Sequence, residues 1–262
     1  MIKLKINGQA VKVGPGTTVL QAAQGLGIKI PTLCHHEGLT PYGACRLCTV
    51  EINDAGRSSL QASCCYPAKE GLVVQTETPA ISDGRKLLLQ LLLARCSRSP
   101  AIIRLAAEWG VTATPFSPKG EECALCGLCV RACASLMKVE AIAMSGRGVS
   151  RKVTTPFGFM SEECRACGAC TYVCPTGHMQ MEAETVAQLR RQVGIDRKCR
   201  YMLMGLVASK LCPNNYDCAH CAFDQTMELR LGTHPAFSLA ADGKAASADD
   251  EMPGGKATPS RT

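Results

Sequence analysis

The chain has 262 residues, 18 of them cysteine, with 4 % aromatic and 19 % charged residues. A secreted disulfide scaffold would be shorter than about 100 residues and denser in cysteine, and Met1 to Ala10, MIKLKINGQA, lacks the charged and apolar regions of an export leader. The net charge of +7 comes without a dense Lys/Arg run or interleaved stacking aromatics, which argues against nucleic acid as a partner. Apolar stretches such as 87–94 fall far short of the about 18 residues of a membrane span. The expectation is a cytoplasmic protein with no direct membrane span, whose thiols stay reduced and bind metal.

In chain order, Ile2 to Ile6 alternates apolar and polar residues, Asn7-Gly8 signals a tight turn, and Val11 to Val13 resumes the alternation, which predicts a β-hairpin. Gly14-Pro15-Gly16 breaks it; Thr17 or Thr18 caps a short helix, Val19 to Leu26, closed by Gly27. Hairpin followed by helix begins a β-grasp unit, to which Thr49–Asn53 and Val73–Thr76 add strands. Ser82-Asp83 caps a Leu-rich helix, Arg85 to Arg95, with Leu87, Leu88, Leu91 and Leu92 on one packing face. A second helix runs from Ser99-Pro100 to Gly110, and Thr112 to Gly120 reads as linker. Residues 183 to about 210 look helical, and beyond Gly232 the Ala, Gly, Asp, Ser and Pro composition predicts a disordered tail.

Between 121 and 182 lies an internal repeat: Glu121-Glu122-Cys123 returns as Glu162-Glu163-Cys164 forty-one residues later. Cys123, Cys126, Cys129 and Cys133 are spaced x2, x2, x3, as are Cys164, Cys167, Cys170 and Cys174, the last followed by Pro175. This is the bacterial ferredoxin run for two 4Fe-4S clusters, in which the fourth cysteine of each run serves the other cluster. It assigns Cys123, Cys126, Cys129 and Cys174 to one cluster, and Cys164, Cys167, Cys170 and Cys133 to its twin. Gly127 and Gly168 stand where the loops must turn tightly, and Ala134 replaces the Pro expected after the first run. His178 reads as a solvent-facing residue.

In the first unit Cys34, Cys45, Cys48 and Cys64 form C-x10-C-x2-C-x15-C, a wider first gap than in plant-type ferredoxins. The segment PTLCHHEGLTPYGACRLCTVEI, followed by ASCCYP, resembles the N-terminal 2Fe-2S domain of the large iron-sulfur subunit of complex I. It is equally similar to the small diaphorase subunit of NAD-linked hydrogenases and to related formate dehydrogenases. The resemblance covers about residues 1–182 and implies one 2Fe-2S cluster and two 4Fe-4S clusters. It also implies that Cys64 is the fourth 2Fe-2S ligand, leaving Cys65 a bystander, with His35 and His36 as loop residues beside the cluster. Many such relatives carry a further cluster on one histidine and three cysteines between the modules. Here that stretch, LLLARCSRSPAIIRLAAEWGV, offers only Cys96, so that cluster is expected to be absent.

A last group, Cys199, Cys212, Cys218 and Cys221 with His220 beside it, fits either zinc or a further 4Fe-4S cluster. The fold class expected is α+β. It comprises a β-grasp 2Fe-2S domain (1–80), a helical connector (81–112), a bacterial-type two-cluster ferredoxin domain (113–182), a small helical Cys-rich C-terminal module (183–232) and a disordered tail (233–262). There is no G-x-G-x-x-G after a strand and no P-loop, Gly146-Arg147-Gly148 being isolated. No catalytic residue is therefore expected. The resemblance implies an electron-transfer subunit of an NAD(P)-linked oxidoreductase. Its partners would be a flavin- and NAD(P)H-binding diaphorase subunit and a catalytic subunit such as a hydrogenase or formate dehydrogenase. A free-standing multi-cluster carrier is the alternative, mildly disfavoured by the basic charge.

Overall fold

The computed structural model describes residues 1–158, 161, 163–179 and 186–242. β1 (Ile2–Ile6) and β2 (Gln9–Val13) form the expected hairpin, with Ile6 facing Gln9 across the turn. Asn7 and Gly8 both take positive φ, 48° and 82°, as the twist of a two-residue hairpin loop requires. Thr18 caps α1 (Val19–Gly25): its hydroxyl accepts from the Gln21 N–H while the Gln21 side chain accepts from the Thr18 N–H, which satisfies two otherwise unpaired donors.

β3 (Thr49–Asp54), β4 (Arg57–Ala62) and β5 (Val73–Gln75) complete a five-stranded sheet of order β2-β1-β5-β3-β4. The β1–β5 pair is parallel and the remaining pairs are antiparallel. α1 lays Val19, Leu20, Ala22 and Ala23 on Leu4, Ile6, Val50, Ile52 and Val74 of the sheet. The sequence RSSLQA gives no sign of β4, because this edge strand leaves four of its six residues exposed. It is held by its ladder to β3 and not by an apolar face.

α2 (Pro79–Arg95) starts earlier than Ser82-Asp83, with Thr78 as N-cap and Pro79 in the first turn, where its missing N–H costs nothing. Its buried stripe is Ile81, Arg85, Leu89 and Leu93, while Leu87 and Leu91 are about half exposed. This corrects the expected packing face. The reason is Arg85: its buried guanidinium donates to the carbonyls of Leu47, Thr49 and Thr76 and lies over the Trp109 ring, which sets the rotation of the helix. α3 (Pro100–Glu108) presses Ile102 and Ala106 into a core shared with Leu33, Leu47, Leu89, Leu93 and Cys96.

The repeat folds into α4 (Leu128–Ala132) and α5 (Ala169–Tyr172), with a two-stranded ribbon, β6 (Ala143–Ser145) and β7 (Lys152–Thr154), between them. After Cys133 the chain continues into a π-helical turn, Cys133–Met137. Ala134 keeps the N–H that a proline would lack and so lets the helix run on.

Among the described residues of 183–210, only 186–189, a one-turn 3-10 segment (Gly194–Asp196) and α6 (Arg200–Leu203) are helical. Turns at Gly194 and Gly205, both at positive φ, break the expected long helix. α7 (Ala222–Leu231) follows. α8 (Pro235–Asp242) then falls inside the stretch whose composition suggested a tail. Its start is ordered because Ala236 and Phe237 are buried against Leu39, Leu136 and Val173; residues 243–262 of that predicted tail lie outside the described residues. No helix among those described is long and apolar enough to cross a membrane.

Arg85→Met keeps the aliphatic stem but leaves three carbonyls without their donor. It is expected to cost about 3 kcal/mol, read as a lower thermal midpoint; an unchanged midpoint would show that Arg85 does not fix α2 on the sheet.

Candidate iron-sulfur centres

The segment between α1 and β3 carries Cys34, Cys45 and Cys48, and the turn after β4 brings Cys64 to them. The Cys45 thiol donates to the Cys34 sulfur and the Cys64 thiol to the Cys48 sulfur. Each pair thus shares one ionisation: Cys34 and Cys48 are brought down to about 6, while Cys45 and Cys64 are pushed up. The Cys45 N–H also donates to the Cys34 sulfur at 3.4 Å. Cys64 is buried, whereas its neighbour Cys65 is exposed, 3.6 Å away between sulfurs. Two thiols in contact, facing two more, fit a two-iron rhomb with two sulfur ligands on each metal. His35 is only partly exposed, but both of its ring nitrogens are buried and lack a protein partner. Unpaired polar atoms directly after Cys34 suit a bound group that carries acceptor sulfides.

The eight cysteines of the repeat lie close enough to act on one another's charge. Cys126 feels the charges of Cys174 and Cys123, and Cys129 those of Cys126, Cys170 and Cys123. Cys170 feels Cys167, Cys164 and Cys133. Burial is the main reason that Cys126 is pushed up to about 11 and Cys129 and Cys170 to about 12. Cys174 departs from this pattern. Burial acts to raise it, but the Thr176 hydroxyl and the N–H groups of Thr176, His178 and Met179 together bring it down. The fourth cysteine of each run thus lies within range of a cysteine of the other half: Cys174 acts on Cys126 and Cys133 on Cys170.

The two halves match in backbone as well as in spacing. Gly127 and Gly168 take φ of 73° and 75° just before α4 and α5. Leu125 and Ala166, equally placed in their runs, also adopt left-handed backbone, φ 54° and 48°; nothing in their residue types signals it. Cys133, Cys164, Cys167 and Cys170 line one recess, walled by Met137, Val139 and Ile142. His178 is exposed, as its sequence context suggests, and its ring also hydrogen-bonds Glu122 at 2.9 Å, which ties the end of one half to the start of the other.

The modules meet at their cysteine loops. Cys126 feels the charge of Cys34, and Cys45 and Cys126 flank the same apolar core. Arg131 on α4 reaches across to donate to the carbonyls of Cys34 and Thr40, at 2.8 and 2.7 Å, and lies over the Tyr42 ring. From the C-terminal end, Phe237 stacks on His36 with ring centroids 4.4 Å apart. Sequence reasoning singled out neither Arg131 nor Phe237, since no motif marks a single arginine or a lone aromatic in a polar stretch. Cys96 is buried in the connector, where burial pushes its thiol up to about 11.

The last four cysteines also converge. Cys199, Cys212, Cys218 and Cys221 line one recess, and Cys199 feels the charges of Cys212 and Cys221. His220 is turned away, exposed and bonded to Asp217. Throughout the described residues, no three His, Cys, Asp or Glu side chains close round the point that a single metal ion would occupy.

A mixed sheet bearing one four-cysteine loop, joined to a pseudo-symmetric pair of four-cysteine runs, defines a two-module iron-sulfur electron-transfer protein. Residues 1–79 match the 2Fe-2S iron-sulfur cluster binding domain, and residues 122–178 the 4Fe-4S dicluster domain. A chain in the crystal structure of NAD+-reducing [NiFe]-hydrogenase in the H2-reduced state superposes with a TM-score of 0.59 at 30 % identity, over 67 % of this chain and 85 % of that one. The chain belongs to this family of iron-sulfur proteins, which also takes in NADH-quinone oxidoreductase subunits. One such NADH-quinone oxidoreductase subunit, from Rhizobium meliloti (strain 1021), is 47 % identical over 94 residues. Its counterpart from Rickettsia bellii (strain RML369-C) is 42 % identical over 93, and each match covers 36 % of this chain. The matches span only 11 % and 13 % of those longer relatives.

Because Cys64 touches Cys48 while Cys65 faces solvent, Cys65→Ser is expected to leave the iron content and visible absorption unchanged. Cys64→Ser is expected to lose two irons per chain. The reverse pattern in iron analysis would exchange the two roles.

Proposed function

We propose that the chain is an electron-relay subunit of a cytoplasmic, multi-subunit NAD(P)-linked oxidoreductase, without a reaction site of its own. Its partners on this reading are a flavin- and NAD(P)H-binding diaphorase subunit and a catalytic subunit such as a hydrogenase or formate dehydrogenase. Cys34, Cys45, Cys48 and Cys64 would hold a 2Fe-2S cluster. Cys123, Cys126, Cys129 and Cys174 would hold one 4Fe-4S cluster, and Cys164, Cys167, Cys170 and Cys133 a second. The proposed units are residues 1–80, 81–112, 113–182 and 183–232. When bound, such clusters accept and donate single electrons at potentials set by sulfur hydrogen bonds and burial.

The observation that carries the reading is the contiguity of the cysteine sets. Cys34 and Cys126 act on one another across the module boundary, and Arg131 holds the two loops that bear them in register. Backbone N–H groups aim at the sulfurs: Cys45 at Cys34, Leu128 at Cys126, Val130 at Cys129, Ala141 and Ile142 at Cys133. These donors favour the thiolate form that metal requires. With four cysteines per cluster, the sets leave no open metal position for a substrate, which suits transfer and not catalysis.

Gentle affinity purification from the native cells is expected to bring down a flavoprotein, and NADH or NADPH should then reduce the bound clusters in the complex. A stable monomer without flavoprotein, inert to both nucleotides, would overturn the proposal.

A further inference from the structure

We infer that Cys199, Cys212, Cys218 and Cys221 hold a metal centre through their thiolates, either a zinc ion or an iron-sulfur cluster. The set lies outside both segments that match cluster-binding domains, 1–79 and 122–178, and the inference stands apart from the relay reading.

Two separate backbone devices assemble the four thiols. Cys199 and Cys212 directly follow the bridged pair Lys198 and Leu211, with the Cys199 N–H donating to Lys210 O and the Cys212 N–H to Arg197 O, at 2.9 and 2.8 Å. Cys218 and Cys221 close a turn through the bond from the Cys221 N–H to Cys218 O, and Cys221 stands at the N-cap of α7. Between the two devices Asn215 and Tyr216 both take left-handed backbone, φ 48° and 58°, an uncommon conformation for a bulky residue such as tyrosine. This turn aims the Tyr216 N–H at the Cys212 sulfur, 3.2 Å away, while the Tyr216 hydroxyl donates to Lys198 O at 3.0 Å. All four cysteines line one recess.

The donor set is sulfur alone, because His220 is exposed and bonded to Asp217. Four sulfurs select zinc or an iron-sulfur cluster over harder metals. Plain reduced thiols are the rival account, and the packing speaks against it. Residues 208–222 carry three of the four cysteines, yet none of them belongs to an apolar core of the molecule. Tyr216 is buried in that stretch, but beside the sulfurs. A segment so poor in apolar anchors needs a cross-link of another kind. Cys199, by contrast, is buried in the core that includes Leu128 and Ala169 of the ferredoxin-like pair. Joining Cys212, Cys218 and Cys221 to it through metal would fasten the segment to that core, since the free energy of binding metal becomes free energy of folding.

The surroundings suit the negative charge that four thiolates leave on such a centre. Arg200 lies within range of the charge of Cys218 and is anchored to Asp224, and Lys210 acts on Cys199. Among the described residues the four sulfurs do not close round a single point, and in this they resemble the sets inside the matched cluster domains.

Two measurements on the full chain, purified anaerobically, test the inference. The first is alkylation of the native protein with iodoacetamide, read by peptide mass spectrometry. Cys212, Cys218 and Cys221 are only partly buried, so as plain thiols they would react alongside the exposed Cys65. The inference predicts that they resist, and that they react once acid and chelator have stripped the metal. Labelling of all three in the native protein overturns it. The second measurement compares zinc, iron and sulfide per chain in wild type and in the double variant C218S/C221S. Loss of zinc with iron and sulfide unchanged identifies a zinc ion, and loss of iron and sulfide with zinc unchanged identifies a cluster; either result supports the inference. A variant that keeps the wild-type content of all three overturns it. Because the labelling uses the unsubstituted chain, a variant that fails to fold does not shelter the inference from refutation.

Discussion

Crowded like charge is the constraint on which the rest of this structure depends. Sixteen of the 18 cysteines are gathered into four sets, and in every set there are sulfurs that make their neighbours harder to ionise. Such an arrangement is stable only with protons shared or with metal present. The short helices, left-handed turns and inward backbone N–H groups follow from it. They are what lets a chain gather four sulfurs in one place with backbone N–H groups aimed at them. The modest share of aromatic residues fits as well, since modules built round inorganic cores need little apolar core of their own.

The connections between modules follow the same logic. Arg131 neither binds metal nor sits in a sheet, yet it joins the loop after Cys34 to the helix after Cys126 through two carbonyls. Arg85 does the same between α2 and the sheet. Both are cations used as multiple hydrogen-bond donors in places where the backbone offers carbonyls and no partner strand. A guanidinium suits this role because its donors diverge in a fixed plane and its charge persists when buried. The same charge lies close to the thiolates and opposes their repulsion.

Much of this is legible in the sequence, unevenly. The hairpin, α1 with its Thr18 cap, α3 and the cysteine sets carry local signals: period-two alternation, a capping box and fixed spacing. β4 is invisible there because an exposed edge strand needs no apolar pattern. The leucines of α2 mislead about its buried face because a buried arginine sets the rotation of the helix. The long helix expected near 183–210 gives way where the chain must turn back at Gly194 and Gly205 to bring Cys212 alongside Cys199. Arg131 and Phe237 act through tertiary contacts between segments about 90 and 200 residues apart, and nothing local announces them.

The stacking of Phe237 on His36 bears on the order in which the protein is made. The Cys34 loop leaves the ribosome well before the ring that covers its neighbouring histidine, which lies 201 residues further along the chain. Until α8 has been synthesised and has docked, that loop stays uncovered on the side Phe237 will occupy.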